Sequence, residues 1–184
     1  MKVQIDDREF DLMLAYDQIK KRTRFLGIQL NVDYENQVPV FIGVLNGSFL
    51  FMADLIKEIH ISCEMGFIKV SSYHGGDTTS GIVKEVIGLD IDITGRDVII
   101  VEDIVDTGLT LSFLIERLKQ LNPASINICS LLFKPAALQK EIDELTYVGF
   151  EIPNEFVVGY GLDYKGLGRN LKDIYRACPV TSET

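Results

Sequence analysis

Residues Val98 to Thr110 read VIIVEDIVDTGLT, and this stretch decides the fold. Four apolar residues are followed by two adjacent carboxylates, Glu102 and Asp103, and then by a third, Asp106. An apolar run of this length, bounded by charges, is typical of a strand buried on both faces of a parallel sheet. The acids then lie at the carboxyl end of the strand, where open α/β sheets bind their ligands.

The residues after this strand predict an anion site. The loop 106–110 offers successive backbone N–H groups and two hydroxyls at the start of a helical pattern, and helix N-termini bind phosphates. Carboxylates beside a phosphate cradle suit a phosphorylated sugar that carries Mg²⁺, because the acids can accept hydroxyl hydrogen bonds and hold the metal. Helix capping would explain Asp106 or Thr107 taken alone. It does not explain two strand-end acids followed by a third.

The composition is that of a globular protein with one domain. Of the 184 residues, 47% are hydrophobic and 24% are charged. The 18 basic and 27 acidic residues give a net charge of −9, which argues against a general nucleic-acid or anionic-membrane binder. No apolar run approaches the roughly 20 residues of a membrane helix, and the N-terminus has no signal-peptide core. We therefore expect a cytoplasmic protein that binds neither nucleic acid nor membrane.

Predicted strands and helices alternate along the chain. The pattern predicts helices at 11–26, 49–59 and 109–121, with Ser48 capping the second, and a short helix after Pro135. The predicted strands are 38–45, 67–71, 82–89, 98–102, 125–133, 145–150 and 156–160, followed by a polar tail. This alternation predicts an α/β fold with a parallel sheet. Neither GxGxxG nor GxxxxGK[ST] is present, so dinucleotide-binding and P-loop folds are not favoured.

The segment EDIVDTGLT resembles the phosphoribosyl-pyrophosphate motif of the type I phosphoribosyltransferases. Further segments resemble the hypoxanthine-guanine phosphoribosyltransferase branch of that family over nearly the whole chain. They are GVLNGS at 43–48, SSY at 71–73, SLLFKP at 130–135 and FEIPNEFVVGYGLDY at 150–164. The last is the most discriminating, because other branches share EDIVDTG but lack it.

The resemblance implies a type I phosphoribosyltransferase fold, in which helices flank a central parallel sheet beside a small hood and a flexible active-site loop. One domain would span residues 1–184. Its core would cover about residues 36–150, the hood would combine the N-terminal segment with about 151–184, and the flexible loop would cover about 72–84.

The resemblance also implies the roles of the residues that bind the ribosyl donor. Asp106 would be catalytic, taking the purine N7 proton as N9 attacks, while Glu102 and Asp103 would position the ribose hydroxyls directly or through hydrated Mg²⁺. In the family, the loop at 45–47 binds pyrophosphate through backbone groups, commonly with a non-proline cis peptide. The expected donor-binding residues are Leu45, Asn46, Gly47, Ser72, Tyr73, Glu102, Asp103, Ile104, Val105, Thr107, Gly108, Leu109, Thr110 and Arg169. Some members carry lysine in place of Asn46 and Leu109, but the backbone cradle does not need those side chains.

The expected purine-binding residues are Lys134, Phe156, Val157 and Asp163. By resemblance, Lys134 donates to the 6-oxo oxygen, Phe156 stacks on the ring and Val157 offers backbone groups to the base edge. Asp163 would join Glu102 and Asp103 as a Mg²⁺-linked carboxylate. Taken singly, these residues have ordinary interpretations: a solvated lysine, a core aromatic and a turn aspartate.

These roles imply Mg²⁺-dependent transfer of a 5-phosphoribosyl group from phosphoribosyl pyrophosphate to N9 of hypoxanthine, and of guanine, in purine salvage. The products would be IMP or GMP and pyrophosphate, and the enzyme would be a homodimer or homotetramer. The preference between hypoxanthine and guanine stays open, as does use of xanthine, whereas the purine-binding residues argue against orotate and uracil. An RNA-binding regulator on the same scaffold would need a basic face. An inactive structural subunit would not need Asp106.

Overall fold

Ten strands and three α-helices make up the part of the chain that the computed structural model describes. That part is the backbone of residues 1–73 and 82–179 and the side chains of residues 1–70 and 88–179. The strands are β1 (Lys2–Ile5), β2 (Arg8–Leu14), β3 (Val40–Leu45), β4 (Glu64–Tyr73), β5 (Ile82–Ile87), β6 (Asp97–Val105), β7 (Ser125–Phe133), β8 (Leu145–Glu151), β9 (Val157–Val158) and β10 (Ile174–Ala177). The helices are α1 (Tyr16–Asp33), α2 (Phe49–Lys57) and α3 (Leu109–Lys119), and a 3₁₀ turn covers Pro135–Ala137.

The larger sheet has the strand order β5-β4-β3-β6-β7-β8. Strands β4, β3, β6, β7 and β8 are parallel, and β5 pairs antiparallel with β4 at one edge. Helices cover both faces of this sheet. Alternate residues of β6 point to opposite faces, and the two sets pack into different core clusters. Ile99 and Val101 lie in the core cluster that contains residues of α1 and α2. Val98 and Ile100 lie in the cluster that contains residues of α3. The predicted parallel α/β sheet is therefore confirmed.

The smaller sheet is antiparallel and has the order β1-β2-β10-β9. It joins the N-terminal hairpin to two strands near the C-terminus, and its own core holds Phe10, Val158 and Tyr175. No helix within the described ranges is long and apolar enough to cross a membrane.

Several predicted elements differ from the structure in their bounds, their type or their capping. The helix predicted at 11–26 begins only at Tyr16 and runs to Asp33, because residues 8–14 form β2, held by β1 on one side and β10 on the other. The predicted polar tail contains β10. The predicted Ser48 cap is not made, because the buried Ser48 hydroxyl donates to the Val44 carbonyl oxygen at 2.6 Å. Strand β6 is longer than predicted and continues through the acids to Val105.

The start of α1 depends on a residue from the other end of the chain. Ala15 occupies the N-cap position, so no side chain there can accept a hydrogen bond from the first turn. The Asp173 carboxylate, which is buried, accepts one from the Tyr16 backbone N–H at 2.8 Å and another from the Tyr175 hydroxyl at 3.2 Å. Asp173 therefore ties α1 to β10.

We predict that Asp173→Ala lowers the free energy of unfolding by about 2 kcal/mol, because it leaves the Tyr16 N–H without an acceptor. Asp173→Asn is the matched control, since its amide oxygen can still accept. Chemical denaturation should show a smaller loss for the asparagine variant. Equal losses in the two variants would contradict the proposed helix tie.

Candidate active site

Two adjoining cavities open at the carboxyl ends of the central strands. The first, which we call the β6 cavity, has a volume of about 290 Å³ and is lined by the ends of β3 and β6 and by the loop leading into α3. The second, the Phe156 cavity, has a volume of about 160 Å³. Asp103, Ile104 and Asp106 line both. A ligand that filled both cavities would therefore pass the β6 acids.

The paired acids of β6 lie in an environment that disfavours their negative charge. Burial, and then the neighbouring Asp103, raise the pKa of Glu102 well above its usual range. Burial also raises the pKa of Asp103 to about 6, against the opposing effect of the Arg169 charge. The Glu102 Oε2 atom is buried and has no hydrogen-bond partner in the described part of the chain. A cation bound beside these carboxylates would relieve both conditions.

This donor set fits Mg²⁺ held together with a substrate. Mg²⁺ usually keeps several waters and binds one or two carboxylates plus substrate phosphates. No three His, Cys, Asp or Glu side chains in the described ranges are grouped so that they could hold a metal by themselves. Asp163, the third predicted metal residue, pairs with Arg169 at 2.5 Å and accepts from the Gly166 N–H at 2.8 Å.

The loop 106–110 forms the predicted entry to α3. Gly108 is the N-cap of the helix, with φ +79°, and a Cβ there would lie 2.9 Å from the Lys140 carbonyl oxygen. Because the N-cap residue has no side chain, the first N–H groups of α3 have no side-chain cap. Thr107 Oγ1 lies 3.5 Å from the Leu109 N–H. This open helix start can bind an anion.

The loop after β3 approaches the β6 acids closely. The Leu45–Asn46 peptide is cis. Gly47 lies against the Asp103 carboxylate so tightly that a Cβ would stand 1.6 Å from Asp103 Oδ2. The backbone of this loop therefore forms one wall of the β6 cavity, as Leu45 and Gly47 line it.

Lys134 and Asp106 form an ion pair between the ends of β6 and β7. The Lys134 Nζ lies 2.9 Å from Asp106 Oδ2, and the Lys134 N–H donates to the Val105 carbonyl oxygen at 2.9 Å. The lysine side chain is 7% exposed, against 44% for Asp106. Lys134 is therefore not the solvated lysine of the ordinary interpretation. Asp106 supplies the partner that it needs, because a buried ammonium without a partner is costly. Both groups face the Phe156 cavity.

Phe156 lines the same cavity, with 44% of the residue exposed. Next to it, Val157 is buried and pairs with Arg176 of β10, which fixes its backbone. Arg169 Nη1 donates to the Gly161 carbonyl oxygen at 2.7 Å. The guanidinium is thus held at the cavity by Gly161 and Asp163.

Gly161 is a site residue that the sequence reasoning missed. Its φ is +101°, and a Cβ on it would stand 1.9 Å from the Gly47 carbonyl oxygen. Its N–H donates to the Arg169 carbonyl oxygen at 3.0 Å. The turn after β9 therefore lies directly on the loop after β3. The signal available in the sequence was the glycine before Leu162-Asp163.

Most of the predicted site residues come together. Those that line one of the two cavities are Leu45, Gly47, Glu102, Asp103, Ile104, Val105, Asp106, Thr107, Gly108, Thr110, Lys134, Phe156, Val157, Asp163 and Arg169. Asn46 and Leu109 line neither cavity, and Leu109 is exposed. The side chains of Ser72 and Tyr73, and residues 74–81 of the predicted flexible loop, lie outside the described residues.

Comparison with known proteins agrees with this geometry. The family model of the phosphoribosyl transferase domain matches residues 14–165. The chain belongs to the phosphoribosyltransferase family. Its predicted type I phosphoribosyltransferase fold is confirmed, because the family model covers the central sheet and every cavity-lining residue except Arg169.

Individual relatives and a solved structure match the chain over most of its length. The chain is 44% identical to the hypoxanthine-guanine phosphoribosyltransferase of Bacillus subtilis over 94% of this chain and 96% of that protein. It is 45% identical to the bifunctional protein TilS/HprT of Listeria monocytogenes, and that match covers 87% of this chain but only 24% of the relative. A crystal structure of a Staphylococcus aureus hypoxanthine phosphoribosyltransferase superposes with a TM-score of 0.87 at 41% identity, covering 95% of this chain and 94% of that one.

We predict that Gly161→Ala lowers kcat/KM for the ribosyl donor at least about 10-fold, because the added Cβ must displace the Gly47 loop that lines the β6 cavity. Gly166→Ala is the matched control. Gly166 has φ +81° but nothing within 4 Å of an added Cβ. It therefore carries the same kind of backbone strain without the collision, and steady-state kinetics should show little loss. Similar losses in both variants would contradict the role of the Gly161–Gly47 contact.

Proposed function

We propose that the protein transfers the 5-phosphoribosyl group of phosphoribosyl pyrophosphate to N9 of hypoxanthine, and of guanine, in purine salvage. The products are IMP or GMP and pyrophosphate. The observation that carries the proposal is the ion pair of the buried Lys134 with the partly exposed Asp106, which lines one cavity together with Phe156 and adjoins the acids and anion loop of the other. This arrangement supplies a donor, an acceptor and a stacking surface for an oxopurine beside a sugar-phosphate site.

On the donor side, the loop 107–110 holds the 5′-phosphate with its backbone N–H groups at the start of α3. Glu102 and Asp103 accept hydrogen bonds from the ribose hydroxyls and would also hold Mg²⁺, with Asp163 nearby. When bound, the metal neutralises the charge that accumulates on the departing pyrophosphate. The placement of Glu102 Oε2, buried without a partner in the described residues, supports this role.

On the acceptor side, Lys134 donates to the 6-oxo oxygen and Asp106 accepts the N7 proton as N9 attacks the anomeric carbon. The two groups already contact each other at 2.9 Å, which supports simultaneous contact with neighbouring atoms of one ring. Phe156 stacks on the purine, and base–aromatic stacking contributes about 1–3 kcal/mol elsewhere. The backbone of Val157 meets the base edge.

The leaving pyrophosphate is stabilised by Arg169 and by the backbone of residues 45–47. The guanidinium suits this task because its planar fork matches phosphate oxygens. Its existing contacts to Asp163 and Gly161 support the assignment, since they hold it at the cavity before substrate binds. Groups positioned in this way cost little reorganisation when charge develops in the transition state.

The test of the proposed function is pyrophosphate release with phosphoribosyl pyrophosphate and Mg²⁺, comparing hypoxanthine, guanine, xanthine and adenine. We expect turnover of hypoxanthine and guanine, none of adenine, and loss of activity when Mg²⁺ is chelated. No release with any 6-oxopurine, together with retention on RNA at low salt, would favour the RNA-binding alternative.

We also propose that the enzyme works in the cytoplasm as a homodimer or homotetramer. The assembly is what the family resemblance implies. Sedimentation velocity measures the assembly directly, and a monomer at micromolar concentration would overturn it.

We predict that Asp106→Asn lowers kcat by about 10²–10⁴-fold, because the amide cannot take the N7 proton. Its oxygen can still accept from Lys134, so IMP binding should largely survive in a calorimetric titration. Glu116→Gln is a suitable control, since it weakens an exposed ion pair with Lys140, and neither residue lines a cavity. An unchanged kcat for Asp106→Asn would remove Asp106 from the chemistry.

We predict that Lys134→Ala raises KM for hypoxanthine by about 10–100-fold, as expected for loss of a charged hydrogen bond to the substrate. The KM for phosphoribosyl pyrophosphate should change little. Lys140→Ala provides a lysine control at an exposed ion pair. Use of adenine by the unmodified enzyme would show that Lys134 does not select the 6-oxo group.

A further inference from the structure

The Phe156 ring is packed from behind by residues that line neither cavity. Its ring centroid lies 6.4 Å from that of Phe10 and 5.7 Å from that of Tyr164, the latter at an interplanar angle of 77°. Phe10 and Tyr164 are themselves in edge contact at 5.6 Å. Phe156 thus has one side toward the cavity and another toward this aromatic cluster.

A guanidinium completes the cluster. The Arg8 Cζ atom lies 5.8 Å from the Phe156 ring centroid and 5.9 Å from that of Phe10, within the range of cation–π attraction. Arg8 does not line the Phe156 cavity. Its charge therefore contacts Phe156 from outside the set of residues that line the cavity.

Within the described residues, these aromatic rings are the contacts that the structure gives the Arg8 guanidinium. Its Nε is buried without a hydrogen-bond partner there, and no ion pair to a carboxylate is formed. The adjacent acids serve other groups. Asp6 and Asp7 pair with Lys165 at 2.7 Å and 2.9 Å, and Asp7 also accepts from the Tyr164 hydroxyl at 2.9 Å.

Those contacts fix the turn between β1 and β2 to the turn that follows Asp163. The hairpin therefore holds Arg8 in place through Asp6 and Asp7, while β2 pairs with β10 and β10 with β9. Arg8 is thus held against Phe156 by the small sheet itself, with no purine needed to order it.

We propose that Arg8 is a positioning residue for the purine: it fixes the Phe156 ring from behind so that the base stacks on an ordered surface. The inference rests on the proposed function, because it takes Phe156 as the stacking residue. A ring ordered in advance loses less conformational freedom when the base binds. The cation also polarises the ring that the base will contact.

The test compares Arg8→Met, Arg8→Lys and a matched control in steady-state kinetics with hypoxanthine and phosphoribosyl pyrophosphate. Methionine keeps an unbranched chain without the charge, and lysine keeps the charge. The control is Arg22→Met. The Arg22 guanidinium also lies over two rings, 5.7 Å from Phe25 and 5.4 Å from Phe150, but lines neither cavity.

We expect Arg8→Met to raise KM for hypoxanthine about 3- to 10-fold, the size of one cation–π contact. The KM for phosphoribosyl pyrophosphate and kcat should change less than about 2-fold by the same reasoning. Arg8→Lys should recover part of the loss, and Arg22→Met should behave like the unmodified enzyme. Calorimetric titration with IMP should show the same order of affinities, independently of turnover.

Two results would overturn the inference. One is an unchanged hypoxanthine KM in Arg8→Met. The other is an equal rise in both KM values with a lowered melting temperature, which would make Arg8 a general support of the small sheet. Failure of the unmodified enzyme to form IMP is a separate result, because it overturns the proposed function and this inference with it. The conservative lysine variant keeps the test usable if the methionine variant does not fold.

Discussion

The close approach of Gly161 to Gly47 is the constraint on which the candidate site depends. A Cβ at Gly161 would stand 1.9 Å from the Gly47 carbonyl oxygen, and one at Gly47 would stand 1.6 Å from Asp103 Oδ2. Only glycine allows two backbone segments and a carboxylate to meet at these distances. The same part of the chain carries Phe156, which lines one cavity together with residues at the end of β6.

The second requirement is that the site hold ionisable side chains in positions where the protein alone disfavours their charged forms. Glu102 and Asp103 are partly exposed residues whose carboxyl pKa values are raised by burial of the groups, and Lys134 is a buried ammonium paired with Asp106. Burial of such groups weakens stability unless partners compensate. In the proposed function, a phosphorylated sugar with its metal, and an oxopurine, would supply those partners.

The sequence correctly predicted the features that a local pattern encodes. It did not predict the features that depend on contacts between distant segments. The run VIIVEDIVDTGLT located the central strand, its acids and the loop into α3, because a doubly buried strand is apolar throughout. The helix predicted at 11–26 was wrong in its first turn, since residues 8–14 form a strand between β1 and β10, and β10 lies more than 150 residues later in the chain. The same long-range pairing concealed β10 in an apparently polar tail. No local pattern could show that Gly161 meets Gly47.

The most direct measurement is a crystal structure of the protein with IMP. The account predicts that the base stacks on Phe156 with its edge toward Lys134 and Asp106, with O6 about 3 Å from Lys134 Nζ and N7 at a similar distance from Asp106. The 5′-phosphate should lie on the backbone of the 107–110 loop. A base bound outside the Phe156 cavity, or a phosphate bound away from that loop, would contradict it.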